Sequence, residues 1–384
     1  WGTGERAGVS EAAFLNGVAA AALDYDALHL DALVHHDIVL LPAMLAAAER
    51  EHVDGQRFIT ALAAATDVMC RLGQATREHS GWFYTSIHGV FAAAAGCAML
   101  LGLKESAIRD AFGIALFHVG GTQQSMVEKA LTKRAMSAFA ARAGLFCAQL
   151  ARAGTSAPRE AFEGKFGFYA MYESGDPAVA ARALGERYHG VDTSIKKFPS
   201  CGCNHAVIEA TLQLAQEHDL RADDVIGARA VISNYMNRLV GGTYDPGSNP
   251  QVAAQFSVQY SVAAALLHRR LGVAQIQADA ARDPAAIALA QKVEVVIDDA
   301  RAGQLAPAAQ PLLRLRARYP ERPHLLRRVE RDTLGDHPDL ADPGSLDARH
   351  VPDDEPVRDV GIREQVDLTV LPAVEPLDEG DAGT

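Results

Sequence analysis

The stretch at 196–205 (KKFPSCGCNH) carries the densest set of reactive side chains in the chain. It places two thiols and the imidazole of His205 directly before an amphipathic pattern at 206–217, and that pattern predicts a helix. Asn204 is a residue type that caps helix N-termini, which puts His205 at the first helical position. Backbone N–H groups and the positive end of the helix dipole meet there, so a carboxylate would find donors and an imidazole together.

Two other interpretations of this stretch stay open. One is a capped surface helix whose first-turn histidine has no function. The other is a metal clip formed by Cys201, Cys203 and His205, because thiolates and imidazoles are zinc ligands. The sequence contains no second ligand cluster at the usual zinc spacing, so we predict that no metal binds here.

A second polar cluster follows the first predicted helix. Asp24 and Asp26 stand where that helix ends, and His29, His35 and His36 follow closely. Carboxylates at a helix C-terminus oppose the dipole by roughly 0.3–1 kcal/mol each, so their presence indicates either a turn or a polar site. The cluster also contains metal-ligand types, but without a tight ligand spacing a solvated loop is the simpler interpretation.

Cations and a tyrosine supply the remaining candidate groups. Lys129, Lys133 and Arg134 surround the start of a long Ala-rich helix predicted at 133–153. Cations at a helix start are locally unfavourable, which suits either a solvated face or a pocket for a polyanion. Tyr260 begins an apolar helix, where its phenol is either a proton donor in a pocket or part of the core.

Helices must position most of these groups. Periodicity and capping residues predict helices at 11–23, 38–51, 58–72, 85–101, 105–116, 133–153, 178–184, 206–217, 257–269 and 283–292. Alternating patterns predict strands at 226–233, 292–297 and 312–319. The order of elements predicts a mainly α protein, with an all-helical domain over 1–190 and a smaller α+β lid domain over 191–330.

Charge and composition limit the partners. The formal net charge is −12, and the acidic excess lies in residues 331–384, which are also rich in Pro and Gly and are predicted to be a poorly ordered tail. The remainder is close to neutral and has no sustained basic face, so nucleic acid is excluded as a partner. No apolar run reaches the roughly 18 residues of a membrane span. Five scattered cysteines indicate reduced thiols, which predicts a cytoplasmic protein.

Six segments, in this order, resemble the MmgE/PrpD family, which includes 2-methylcitrate dehydratase, cis-aconitate decarboxylase and iminodisuccinate epimerase. The resemblance runs from Trp1 to about Pro338. Its segments are LDYDALH at 23–29, HHDIVLLPAMLAAAE at 35–49, TSIHGVFAAAAGCAMLLGL at 85–103, EGKFGFY at 163–169, KKFPSCGCNH at 196–205 and AQFSVQYSVAAAL at 254–266.

The resemblance implies a helical domain with an α+β lid, a homodimer, and a pocket between the domains for a di- or tricarboxylate. It also implies chemistry that needs neither a cofactor nor a metal. Carried over by position, the site residues are Asp24, His35, Lys133, His205 and Tyr260. The family's first helices would lie upstream of Trp1, so we expect the chain to be a fragment of a longer protein.

Several positions depart from the family pattern. Leu28 stands where the family has Thr, Phe83 where it has His, and Met136 where it has another His, followed by Ala138 in place of Gly. The Pro and Ser that follow the His35 position are also replaced, by His36 and Asp37. If an acid–base group has moved, the candidate replacements are His36, His88 and Tyr84.

We therefore predict a cofactor-independent lyase or isomerase that acts at the carbon alpha to a carboxylate, with dehydration of a 2-methylcitrate-like acid as the leading example. His35 or His205 would be the base, Lys133 would hold a carboxylate and Tyr260 would donate a proton. The alternative is a non-catalytic paralogue that binds carboxylates or is purely structural, because three polar positions have become apolar.

Overall fold

The structure, a computed structural model, describes residues 1–78, 80–297, 312–317 and 325–328. It is mainly helical with a smaller α+β C-terminal part, so the predicted fold class is confirmed. The predicted tail at 331–384 lies outside the described residues. Across the part of the chain that is described, no helix is both long and apolar enough to cross a membrane.

The N-terminal helical region contains the three longest helices of the described residues. Its α-helices are α1 (Val9–Ala21), α2 (Asp37–Glu51), α3 (Gly55–Ala75), α4 (Tyr84–Leu100), α5 (Glu105–Ala115), α6 (Gln124–Val127), α7 (Met136–Arg152), α8 (Phe168–Met171) and α9 (Pro177–Ala181). Short 3₁₀ turns lie at Leu116–His118, Leu131–Arg134 and His189–Asp192.

The centre of this region is α4, which is buried along nearly its whole length. It packs against α7, α3 and α2, and α1 covers α2 and α7. The approach of α7 requires small residues, because a Cβ atom added at Gly144 would lie 2.5 Å from the Cβ of Ala93. This close packing explains the alanine content and brings the end of α1 beside the turn that precedes α7.

The C-terminal α+β region begins at α10. Its helices are α10 (Gly202–Glu217), α11 (Asn234–Val240), α12 (Pro250–Gln255), α13 (Val258–His268), α14 (Ala278–Ala281) and α15 (Pro284–Ala290), with 3₁₀ turns at Ala222–Asp224 and Val273–Ile276. Its strands are β3 (Val225–Ile232), β4 (Val293–Ile297), β5 (Leu312–Ala317) and β6 (Leu325–Arg328).

These strands form one mixed sheet in the order β4-β3-β5-β6. β3 pairs in parallel with β4 and antiparallel with β5, and β5 pairs antiparallel with β6. Buried and exposed residues largely alternate along β3, so one face of the sheet is covered, as period-two patterning requires. α10 packs against α13 and β5, and α13 packs against β4.

A second, two-stranded sheet ties the regions together. β1 (Leu28–His29) follows α1 and pairs with β2 (Thr193–Ser194), which leads into α10. The buried Arg71 on α3 fixes the segment before β2, because its guanidinium donates to the backbone carbonyls of Arg182 and Arg187 at 2.6 Å each and pairs with Asp67 at 2.5 Å. The loop after α1 and the approach to α10 are therefore held side by side.

Two predicted helix starts are wrong. The N-cap of α10 is Cys201, not Asn204, and it forms no side-chain cap; Asn204 is buried and donates to Ser200 Oγ and to the carbonyl of Gln255. His205 therefore lies in the first turn of α10 and not at its first position. Lys133 lies in the turn Leu131–Arg134 before α7, because it pairs with Asp24 rather than continuing the helix.

Candidate functional site

A small cavity lies where the two regions meet. Its polar lining comprises Asp24, His35, Tyr84, Gln123, Lys133, Lys196 and Tyr235, together with the thiols of Cys201 and Cys203. Its apolar lining includes Leu28, Leu33, Phe83, Met126, Leu239 and Phe256. The cavity volume is about 60 Å³, whereas small-molecule pockets typically span about 300–1,000 Å³. In this form the site is closed.

A larger groove, of about 560 Å³, lies along α7 on the outside of the helical region. Its charged side chains, Glu11 and Arg142, are exposed, so water screens them. The smaller cavity is the candidate site, because its ionisable groups are buried and arranged around one point.

Asp24 is the hub of this arrangement. It is 2% exposed and has a positive φ of 52°, which is the left-handed turn that carries the chain away from α1. Its carboxylate pairs with Lys133, lies 3.2 Å from Lys196 Nζ and lies 3.9 Å from an Arg134 nitrogen. Lys196 Nζ also donates to the Asp24 carbonyl at 2.9 Å. The unfavourable acid at the helix end is thus both a turn residue and a charge partner.

The protonation states follow from these pairs. Burial alone raises the pKa of Asp24, but Lys133 and Lys196 outweigh it and hold the pKa well below the ordinary value. Burial lowers the pKa of Lys196, and Asp24 and Asp26 more than reverse that effect, so its pKa is raised. The Asp24 carboxylate and the Lys196 ammonium are therefore both charged at neutral pH.

Cations exceed carboxylates in this cluster. Lys129 lies behind the cavity wall, where its ammonium donates to the carbonyls of Leu239 and Phe256 at 3.1 and 2.9 Å. Burial lowers the pKa of Lys129 to about 8. Within the described residues, Lys133, Arg134 and Lys196 form their ion pairs with Asp24 and Asp26. Three cations therefore face two carboxylates, and this excess of positive charge suits an anionic ligand.

His35 forms a dyad with Asp26. The Nδ1 atom of His35 lies 2.6 Å from Asp26 Oδ2 and 3.0 Å from the carbonyl of Ala27. Both neighbours have only acceptor atoms, so Nδ1 carries the proton and Nε2 presents its lone pair. The proton is donated to the Ala27 carbonyl, and the Asp26 carboxylate lies beside the ring as its charge partner. Thr85 Oγ1 accepts from the backbone N–H of His35 at 3.0 Å and fixes the residue at the cavity edge. A carboxylate that orients a histidine in this way is the usual arrangement for a general base.

Gln255 connects the two regions behind the site. Its amide donates to the Leu23 carbonyl and accepts from Arg134. Its backbone carbonyl accepts from the Cys201 N–H at 3.0 Å and from Ser200 Oγ at 2.9 Å. The end of α1, the turn before α7 and the start of α10 are therefore linked through one side chain and its backbone.

The apolar substitutions lie where the family pattern is polar. Phe83 and Leu28 both line the cavity, and the Phe83 ring lies 6.4 Å from that of His35. Of the suggested replacements, Tyr84 lines the cavity. His36 instead contacts Thr193 Oγ1 at 2.8 Å, and His88 is fully buried beside Thr76.

His205 stands behind the cavity wall, not in the lining. Its ring packs edge-on against Phe198 with centroids 5.3 Å apart, and its Nε2 lies 3.4 Å from the Ser200 carbonyl. Burial and then the charge of Lys196 lower its pKa to about 4. It is therefore neutral at physiological pH and one layer away from the space that a ligand would occupy, so its predicted role as base stays a prediction.

This pKa gives a testable dependence of stability on pH. The folded pKa of about 4 lies below the unfolded value of about 6.5, so the unfolded state binds the proton more readily. We expect the free energy of unfolding to fall as pH decreases from about 6.5 towards 4. Chemical denaturation at several pH values should show that the free energy of unfolding falls less steeply with pH in His205→Gln than in the parent. His52→Gln is the control, because His52 lies on the exterior. Equal slopes in both variants and the parent would contradict the assignment.

Tyr260 lies apart from the cavity. It is 0% exposed, and its hydroxyl donates to the Gln275 carbonyl. Its ring packs 4.8 Å from that of Tyr244, in the core of the C-terminal region. The structure thus brings Asp24, His35 and Lys133 together, places His205 behind them, and separates Tyr260 from them.

One group of side chains matches metal-ligand types. His29, His189 and Asp192 have potential ligand atoms within 4.8 Å of one another. However, His29 Nδ1 accepts the N–H of Ala32 at 3.1 Å, so its Nε2 carries the proton and has no free lone pair. We assign no metal to this group. The five cysteines are free thiols, as predicted.

The chain matches the models of a known family over most of its length. Residues 1–180 match the MmgE/PrpD N-terminal domain and residues 198–318 match the MmgE/PrpD C-terminal domain. The chain belongs to the MmgE/PrpD family, so that prediction is confirmed.

Among individual relatives, it is 34% identical over 236 residues to the cis-aconitate decarboxylase-like protein oryM of Aspergillus oryzae, covering 56% of this chain and 49% of the relative. It is 28% identical over 296 residues to cis-aconitate decarboxylase of Aspergillus terreus, covering 71% and 60%. The human cis-aconitate decarboxylase is 27% identical over 240 residues, covering 60% and 48%. The chain spans only about half to three fifths of the length of these curated relatives.

Proposed function

We propose that the protein is a cofactor-independent lyase that acts on a tricarboxylate, with decarboxylation of cis-aconitate as the reaction to test first. One observation carries the proposal: the His35–Asp26 dyad lies beside a buried cluster in which cations outnumber carboxylates. A tricarboxylate would supply the missing negative charge. The names of the relatives favour this reaction over the dehydration of 2-methylcitrate.

The chemistry requires little more than the groups that surround the cavity. In decarboxylation of an unsaturated tricarboxylate, the bond to one carboxylate breaks, its electron pair forms a new double bond, and the electrons of the old double bond take up a proton. The imidazole of His35, once it has taken up a proton on Nε2, would deliver that proton. Lys133 and Lys196 would hold the carboxylates that remain and the negative charge that develops.

Substrate entry requires the site to open. A volume of about 60 Å³ admits only a few water molecules, so the C-terminal region must move away from the end of α1. A carboxylate of the substrate would then compete with Asp24 for Lys133 and Lys196.

We further propose a homodimer in the cytoplasm, which light scattering and cell fractionation would test.

A binding-only protein is the second candidate. Phe83 lies against His35, and Leu28 lines the same wall, so two positions where the family pattern is polar offer no hydrogen bond. Such a protein would keep the cations and bind the acid without turning it over.

The test uses the full-length protein with cis-aconitate, 2-methylcitrate and the saturated propane-1,2,3-tricarboxylate in deuterated water. Proton NMR is expected to show a methylene-bearing dicarboxylate from cis-aconitate, with one deuterium at the former alkene carbon. Calorimetric binding without turnover or deuterium incorporation would favour the binding-only candidate. Absence of both binding and turnover in the folded protein would refute both.

A further inference from the structure

Two cysteines form part of the cavity wall. Cys201 and Cys203 both line it, at the start of α10. Cys201 is the N-cap of α10, a helix of 16 residues, so its sulfur lies at the positive end of the helix dipole. It is partly exposed, whereas Cys203 is buried. Both residues therefore lie at the cavity, and Cys201 is the more exposed of the two.

The surroundings of Cys201 favour its thiolate. The Cys203 thiol donates a hydrogen bond to the Cys201 sulfur, and this bond lowers the pKa of Cys201. It outweighs burial and the charge of Asp24, which raise the pKa, and Lys196 makes a smaller lowering contribution. The same bond and burial raise the pKa of Cys203. A thiolate at a helix N-terminus near a cation is the reactive form of cysteine.

The other thiols form an internal comparison set. Cys70, Cys97 and Cys147 are buried in the N-terminal helical region. Burial raises the pKa of Cys70 and Cys147 to about 12 and also raises that of Cys97. Buried thiols of this kind are inert, so a difference in reactivity among the five cysteines reports on the cavity wall.

We propose that Cys201 is a covalent modification site for activated alkenes, the class of soft electrophile that includes α,β-unsaturated carboxylates. The natural electrophile rests on the proposed function, because an unsaturated acid in this cavity would present its double bond beside Cys201. The reactivity of the thiol itself depends only on the cavity wall.

The step needs no oxidant or reductant. The Cys201 thiolate attacks the β-carbon of the alkene, a sulfur–carbon bond forms, and the π bond breaks. Its electron pair moves to the α-carbon, which takes a proton from water or from a protonated His35. A cavity of about 60 Å³ has no room for both an adduct and an acid, so modification would also block the site.

The experiment treats the full chain in its native state with one equivalent of N-ethylmaleimide, followed by intact-mass measurement and peptide mapping. We expect a single adduct at Cys201, formed at least tenfold faster than at any other cysteine, and no fast adduct in Cys201→Ser, whose serine is a good N-cap. Equal labelling of several cysteines, preferred labelling of Cys203, or no labelling before unfolding would each overturn the proposal.

A matched pair of variants tests the support from Cys203. Cys203→Ala removes the donor and should slow labelling of Cys201 several-fold, whereas Cys203→Ser keeps a donor and should restore it. Equal labelling rates in the two variants, with melting temperatures unchanged, would contradict the assigned role of Cys203.

A ligand arm separates this inference from the proposed function. Propane-1,2,3-tricarboxylate should slow labelling at least tenfold by occupying the cavity. Fast labelling of Cys201 without such protection would support the reactive thiol and count against tricarboxylate binding. Turnover of cis-aconitate with an unreactive Cys201 would support the proposed function and overturn the reactive thiol.

Discussion

Replacing His35 with glutamine should lower kcat for cis-aconitate by about 10²–10⁴-fold, the range for loss of a general acid–base group. Glutamine keeps the side-chain length and a donor for Asp26, so KM should change little. The rate of carbon dioxide release, measured with the full-length protein, gives kcat and KM separately. His36→Gln is the matched control, because His36 faces Thr193 rather than the cavity.

Asp26→Asn tests the same dyad by changing the partner of His35. The amide still fills the space but no longer fixes the proton on His35 Nδ1 or stabilises a charged imidazole. We expect the kcat of Asp26→Asn to lie between those of the parent and His35→Gln. The kcat of the double variant should be no lower than that of His35→Gln alone, because the effects of residues that act as a unit do not add. Additive losses in the double variant, or parental activity of His35→Gln, would exclude the dyad from the reaction.

The sequence was sufficient to predict elements whose signals are local. The helices around α2, α3 and α4 follow from apolar periodicity, and the strand β3 from alternation. Asp24, His35 and Lys133 were predicted through the family resemblance, and the structure places all three at one cavity. The acids at the end of α1 also gave a physical signal, because their position is unfavourable unless a cation lies near.

Groups that depend on distant contacts were missed. Lys196 reaches Asp24 across 172 positions in the chain, and Gln255 reaches Leu23 across 232. No spacing rule predicts such pairs, since they arise from the closure of the C-terminal region over α1. The sequence alone assigns no role to Asp26, because nothing local distinguishes its place beside His35 from that of Asp24 beside the lysines.

The same limit explains the position of Tyr260. A polar tip on an apolar helix is compatible with a pocket or with the core, and the backbone carbonyl that accepts its proton lies at Gln275. Asn204 was predicted as an N-cap for a similar reason. Its amide instead donates to the carbonyl of Gln255, a partner about 50 residues away that replaces the local capping interaction.

The charge hub implies a link between stability and binding. Asp24 neutralises part of the cation cluster when the cavity is closed, and a substrate carboxylate would replace it when the cavity opens. A closed site with this hub is a stable resting form, because buried charges are retained only when paired. The hub therefore contributes to folding as well as to recognition.

The Asp24–Lys133 pair supplies the second large effect. Lys133→Met should lower the free energy of unfolding by about 3 kcal/mol, the lower part of the range for removing one partner of a buried pair, because Lys196 still compensates Asp24 in part. Asp24→Asn in the same chain removes the uncompensated charge, so the double variant should regain a large part of that loss. Urea denaturation of the four proteins gives the coupling energy directly.

The pH dependence of stability in these four proteins distinguishes charge pairing from packing. Because the folded pKa of Asp24 is held below its ordinary value, its contribution to stability is complete above the unfolded pKa of about 3.9 and is lost as pH falls through the folded value. In Lys133→Met the folded pKa of Asp24 rises. The stability that is lost on acidification should therefore be smaller, or be lost at a higher pH. Two results together would refute the charge hub: a double variant whose loss in free energy of unfolding equals the sum of the two single losses, and pH profiles of stability that coincide in the parent and Lys133→Met. Lys133 would then act through packing alone.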